Sequence, residues 1–203
     1  MSGIDIMKER RSIRKFDPDH TMPEEDLQEI IEAAIEAPSS WNLQHWKFLA
    51  IQSDEKKQEV LPIAYNQKQV ADGDVTIAVL GDREANHNAE AVFQAAVDAG
   101  DMTEEIRDKV VASIHGAYDN EGFGHNEALI NASLASMQLM LAAKEKGYDS
   151  VPMGGFDGAK LREACNIPER YEPVMLIAIG KATGDARQSF RFSWEDAVIR
   201  DSF

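Results

Sequence analysis

Between Pro23 and Ala37 the apolar residues Leu27, Ile30, Ile31, Ala34 and Ile35 recur at the spacing of one helical face. Pro23 opens the segment, Glu24, Glu25 and Asp26 fill its first turn, and Pro38 stops it, so an amphipathic helix is predicted. Trp46 to Ile51 reads as a strand, and Ser53 caps a helix running from Asp54 to about Ala64. The runs Val75–Asp82 and Val174–Gly180 are almost continuously apolar and carry glycine at or near their ends, the pattern of central strands covered on both faces. Helical spacing returns in Asn88–Ala99, in Thr103–Tyr118 and in a long stretch from about Asn126 to Lys146 that Gly147 ends. The pattern predicts an α+β fold with helices dominant, built as one domain over residues 1–203.

The long helix mixes Ala128, Ala132, Ala135, Ala142 and Ala143 with Leu129, Leu134, Met137, Leu139 and Met140, so it is apolar nearly all round. Such a helix is buried, and a chain of 203 residues encloses one most readily against a second subunit. No stretch reaches the roughly 20 apolar residues that cross a bilayer, and Asp5, Lys8 and Glu9 interrupt the N-terminus before a signal segment forms. A cytoplasmic protein is expected. Cys165 has no partner for an intrachain disulfide and reads as a small buried hydrophobe on a helix. His20, His87, His115 and His125 lack metal-ligand spacing, so no metal is expected.

The formal net charge of −15 argues against nucleic acid or an anionic membrane as partner. Against that background, five of the eight residues from Lys8 to Lys15 are basic. Arg10, Arg11, Ser12 and Arg14 supply guanidinium forks and a hydroxyl, the groups that recognise a phosphate monoester, although a solvated basic terminus has the same composition. A second segment, Pro38–Trp46, places Ser39, Ser40, Asn42 and Gln44 where a helix has ended and a strand begins. Carboxamides that both donate and accept suit the edge of a flavin pyrimidine ring; an ordinary helix-to-strand loop is the alternative. A third segment, Pro152-Met153-Gly154-Gly155, offers backbone without side chains for close approach to a flat ring, and equally describes a flexible connection. No Walker loop or GxGxxG turn is present.

In this order the segments resemble the FMN-dependent nitroreductase family. The likeness runs from Met7 to about Ile199 through Arg10–Phe16, Ala37–Ser40 with Asn42, Gln44 and Trp46, Asn66-Gln67 with Gln69-Val70, Pro152–Gly155, and Arg191. The resemblance implies a central, mostly antiparallel sheet flanked by helices, and an intertwined homodimer with FMN at its interface. It also implies that Arg10, Ser12 and Arg191 hold the phosphate, that Arg11 contributes mainly backbone contacts, and that Arg14 stabilises the reduced ring at its pyrimidine edge. Pro38, Ser39, Ser40, Asn42 and Gln44 would come from the partner chain. Asn66 and Gln69 would bind from the same chain as Arg10, while Pro152, Met153, Gly154 and Gly155 would line the ring beside N5. No side-chain acid or base is required by this scheme.

The implied activity is hydride transfer from NADH or NADPH through flavin N5 to nitroaromatic, quinone or similar conjugated acceptors, by a ping-pong mechanism. Enone reduction, dehalogenation and azoline oxidation on the same fold remain alternatives, as do an FMN store or sensor and a dimeric scaffold. Departures from the family pattern fall at Trp41, His45, Gly154 and Ser189 and bear on the substrate. Trp41, Tyr118 and Phe123 are the candidates for the substrate pocket, the last two because aromatics there stand beside Gly122 and Gly124.

Overall fold

The structure, a computed structural model, describes residues 2–184, 186 and 188–203. Its elements in chain order are α1 (Gly3–Glu9), α2 (Glu24–Ile35), β1 (Trp46–Ile51), α3 (Asp54–Ile63), α4 (Gln69–Asp72), β2 (Val75–Asp82), α5 (Ala89–Asp98), α6 (Glu104–Tyr118), α7 (Phe123–Glu145), β3 (Asp149–Met153), α8 (Gly158–Ala164), β4 (Tyr171–Gly180) and α9 (Trp194–Ala197). Side-chain oxygens start several helices as the sequence suggests: Ser53 accepts from the Lys56 N–H, Thr103 from that of Ile106 and Asp157 from that of Lys160.

The strands form one antiparallel sheet in the order β1-β2-β4-β3. Alternation along β2 sends Val75, Ile77 and Val79 to one face, and Ala78 and Leu80 to the other. The first face packs with Ile177 and Ile179 of β4 under α2 and α7, through Leu27, Ile30, Ala34, Ala132, Ala135 and Leu139. On the second face Leu176 and Ala178 meet Ile13, Phe16, Val60, Ile63, Val70 and Leu161. Covering both faces explains why these two strands read as continuous apolar runs. Ile30, Ile77, Ile177 and Leu161 are fully enclosed, and each contributes about 1.5–3 kcal/mol over leaving the side chain in water.

Small residues let α7 lie close on the sheet. A Cβ at Gly81 of β2 would stand 2.7 Å from the carbonyl oxygen of Ala128, so glycine there sets the spacing between strand and helix. Only one side of α7 is buried within the chain: Ile130, Leu134 and Met137, on a common stripe, remain 56%, 45% and 39% exposed. The single chain therefore covers one side of the helix and leaves this stripe open. The helix also begins three residues earlier than its periodicity indicates, because Gly122 takes φ +78° and turns the chain directly into Phe123.

β3 was not separable in the sequence from the glycine segment that follows it. Pro152 lies within it, tolerated because β3, like β1, stands at an end of the four-stranded sheet. The chain before α2 runs beside β3, with Ser12 bridging Ser150 in parallel and the Ile13 N–H donating to the Ser150 carbonyl at 3.1 Å. β4 starts three residues before its apolar run, at Tyr171, and passes through a register shift opposite Val79 and Leu80, between Pro173 and Met175. Cys165 follows α8 as its C-cap and is half-buried rather than enclosed. No helix among the described residues is long and apolar enough to cross a membrane.

Candidate active site

The residues singled out in the sequence fall into two groups on opposite edges of the sheet. Arg10–Arg14 flanks β3, whereas Pro38–Gln44 leads into β1, and three strand spacings, about 14 Å, separate β1 from β3.

In the first group, Arg10 caps the end of α1 and its guanidinium turns inward. Nε and Nη1 are buried with no hydrogen-bond partner among the described residues. Burial lowers the Arg10 pKa, and the like charges of Arg11 and Arg191 lower it further, so three cations converge. Such an arrangement is costly unless an anion enters it. Arg11 spends its own guanidinium on the backbone, with Nη1 donating to the carbonyls of Lys8 and Arg10. Beyond them the chain is extended, so Ile13 enters the core while Arg14 faces solvent on the same side as Ser12.

The parallel pairing of Ser12 with Ser150 carries Arg14 toward Pro152 and the glycines. Met153 is buried in the core, so only its backbone is available to a ligand. Gly154 and Gly155 are exposed, and a Cβ at Gly154 would meet nothing within 4 Å. The Asn66–Gln69 segment is held against this glycine strip: Gln67 Nε2 donates to the Gly155 carbonyl at 2.7 Å, and Gln69 Nε2 to Gln67 Oε1 at 3.3 Å. Tyr65 and Asn66 both take positive φ, which turns the exposed Asn66 away from the end of α3. Arg10, Ser12, Arg14, Asn66, Gln69 and the Pro152–Gly155 backbone thus border one region at the β3 edge.

At the other edge, Trp41, Asn42 and Gln44 adopt φ of 51°, 55° and 54°, an unusual concentration of left-handed backbone in residues other than glycine. The loop is held in this shape at several points. Asn131 Oδ1 of α7 accepts from the Ser40 N–H at 2.8 Å, Ser39 Oγ accepts from the Gln44 N–H at 3.0 Å, and Leu43 is fully buried. The result is that Pro38, Trp41, Asn42 and Gln44 all face outward, with Ser39 and Ser40 half-buried.

The aromatic candidates do meet. Tyr118 closes α6 and stands edge-on to Phe123 at 5.3 Å between centroids, and Phe123 lies 6.2 Å from Trp41. Behind them is a residue whose surroundings the sequence did not reveal: His45 is wholly buried, with Nε2 2.8 Å from Tyr118 Oη. Burial pushes the imidazole pKa down, opposed by Glu127 and Asp82, and pushes the Tyr118 hydroxyl up. Nearby, Asp82 forms a two-pronged ion pair with Arg170, Nε–Oδ1 2.7 Å and Nη2–Oδ2 2.6 Å. Neither pair had a sequence signal, since their members are 73 and 88 positions apart.

Three clefts of the single chain lie apart from the β3 edge. A cleft of about 690 Å³ opens between α5 and α6 beside Glu90, Arg107 and His115, and others of about 470 and 540 Å³ border β1. Of the proposed cofactor ligands only Gln44 touches any of them. No group of three or more His, Cys, Asp or Glu that could hold a metal occurs among the described residues.

The chain as a whole and its fold have close counterparts. The family model described as "Nitroreductase family" matches residues 7–181. "Putative NAD(P)H nitroreductase YodC" of Bacillus subtilis is 47% identical over 93% of this chain and 93% of its own. The "CLA biosynthesis enone reductase" of Lactiplantibacillus plantarum is 32% identical over 98% of this chain and 93% of its own. Among solved structures, a "putative nitroreductase in complex with FMN" from Exiguobacterium sibiricum superimposes with a TM-score of 0.90 at 40% identity, covering 98% of this chain and 97% of that one. On the extent of the family match and the closeness of these relatives, the chain belongs to the nitroreductase family.

Proposed function

We propose that this chain is an FMN-dependent oxidoreductase that takes reducing equivalents from NADH or NADPH and passes them to flat conjugated acceptors, quinones and nitroaromatics among them. The observation that carries the reading is the Arg10 guanidinium, whose buried Nε and Nη1 have no partner among the described residues and which feels the charges of Arg11 and Arg191, a ready site for a phosphate monoester beside an open glycine strip. FMN, when bound, supplies the hydride-accepting and hydride-donating centre that no side chain here provides. Arg10 and Arg191 neutralise the phosphate, with Ser12 as a hydroxyl donor. Arg14 adds positive charge at the ring edge and favours the electron-rich form. The glycine backbone at 154 and 155 lets the ring approach, while Asn66 and Gln69 bind from the same side.

The reading includes a homodimer in which the partner's copy of the Pro38–Gln44 loop completes each site. Three features support it. The two groups of residues occupy opposite edges of one sheet. Ile130, Leu134 and Met137 form an exposed apolar stripe on α7. Phe190, Phe192 and Trp194 stand 78%, 75% and 61% exposed in the C-terminal segment that also carries Arg191. Apolar surface of that kind is matched to a second chain.

A second acceptor class, conjugated enones, is favoured by the similarity to the enone reductase. Initial rates settle the order of events: with NAD(P)H and a quinone, nitroaromatic or enone varied together, double-reciprocal plots are expected to be parallel, because donor and acceptor use the same face in turn. Intersecting lines would show that both occupy the protein together and would overturn the alternating scheme.

A further inference from the structure

We propose that His45 is a specificity-determining positioning residue: from the core it fixes Tyr118, and through that ring the Phe123 and Trp41 wall against which an acceptor packs. The inference rests on the reading of this aromatic cluster as the acceptor side of the flavin site.

His45 follows two exposed ligand candidates in sequence, Trp41 and Gln44, yet none of its own surface is exposed. It therefore acts on a ligand only through neighbours. Its Nδ1 has no hydrogen-bond partner among the described residues, so an apolar side chain of similar volume would be easier to bury. What the imidazole supplies in return is one specific bond, Nε2 to Tyr118 Oη at 2.8 Å. With the imidazole pKa lowered and the phenol raised by burial, both partners are neutral at neutral pH and the bond needs no ionised group.

That bond adds a long-range tie to a segment whose hydrogen bonds are otherwise local, Asn120 Nδ2 donating to the Ala117 carbonyl at 2.9 Å and the Phe123 N–H to that of Asn120 at 3.1 Å. Asp119, Asn120, Glu121 and Gly122 are exposed between α6 and α7, and the chain reverses through Gly122 at φ +78°. Phe123 follows directly and rests on the Tyr118 ring. Gly124 lets the start of α7 close on the Arg83 carbonyl, which a Cβ there would strike, and the same Cβ position lies 3.3 Å from Tyr118 Cδ1. His45 also reaches the other loop, because its backbone follows the left-handed Trp41–Gln44 turn and its carbonyl accepts from the Asp82 N–H at 3.0 Å. One buried side chain thus couples the loop carrying Trp41 to the turn carrying Phe123.

The test uses full-length His45→Leu, His45→Gln and Tyr118→Phe, the last removing a single oxygen should the leucine variant fail to fold. Loss of the bond is expected to change the ratio of kcat/KM between a two-ring and a one-ring quinone roughly fivefold to tenfold, chiefly through KM, and glutamine is expected to restore most of it. Hydrogen exchange at the amides of residues 119–124, measured without any acceptor, should be faster in His45→Leu and Tyr118→Phe. If both variants fold, and either the acceptor ratio stays within about twofold of the parent or exchange in the turn is unchanged, the positioning role is overturned. A parent protein that takes up no FMN would instead sink the underlying flavin reading, and the exchange measurement would still decide whether the clamp exists.

Discussion

Replacing Arg10 with glutamine is expected to weaken FMN binding roughly a hundredfold while leaving the protein without ligand as stable as before or slightly more so. The two halves of this prediction have one cause. Nε and Nη1 of Arg10 are buried without a partner among the described residues, and Arg11 and Arg191 repel its charge. A base whose pKa is lowered by folding holds its proton more easily in the unfolded chain, so the charge opposes folding until an anion arrives. Glutamine removes that opposition together with the charge-assisted bonds, each worth about 1.5–3 kcal/mol, that a phosphate would receive. Thermal unfolding reads both effects. At FMN equal to 100 times the parent dissociation constant the parent gains about 2.7 kcal/mol, whereas a variant weakened a hundredfold gains about 0.4 kcal/mol. An Arg10→Gln dissociation constant within about threefold of the parent would show that the phosphate lies elsewhere.

Asp82→Ala is expected to destabilise the fold by about 3 kcal/mol, the low end of what breaking a buried ion pair costs. The Asp82 side chain is 2% exposed, and its two oxygens meet Nε and Nη2 of Arg170 while Oδ1 also accepts from the Glu84 N–H. That pairing holds the Arg170 charge and raises its pKa. Alanine leaves the guanidinium without its partner and the Glu84 amide without an acceptor, but 27% of the Arg170 side chain already reaches water and softens the loss. The pair fastens the end of β2 to the start of β4, the end of the sheet where the His45 carbonyl meets the Asp82 N–H. Urea denaturation should show a lower midpoint at unchanged slope. A loss below about 1 kcal/mol would mean that the pair is no stronger than a surface one.

Much of the scaffold is visible in the sequence because its physics is local. α2 announces itself through apolar spacing, acidic first turn and terminal prolines; β2 and β4 do so because burial on both faces leaves no polar alternation. β3 hides because Asp149, Ser150 and Pro152 interrupt any apolar pattern, and its place in the sheet depends on pairing with β4. The candidate cofactor residues could be proposed from the order of their motifs, but their geometry could not. Nothing in the Arg10–Lys15 cluster says that Arg10 turns inward while Arg11 binds its own backbone. His45 is the plainest case: as a departure beside Trp46 it suggests contact with substrate, yet the structure buries it against Tyr118, 73 positions away. Long-range polar pairs of this kind leave no periodicity to read.

The central claim, that the basic cluster is a phosphate site and the glycine strip its flavin platform, is tested most directly by titrating full-length protein, stripped of any bound small molecule, with FMN and with riboflavin in parallel. Visible absorbance and flavin fluorescence should show saturation at about one FMN per chain, with riboflavin, identical but for the phosphate, bound roughly a hundredfold more weakly. Equal affinity for the two flavins would place the phosphate away from Arg10, and failure to bind either would contradict the assignment of the site.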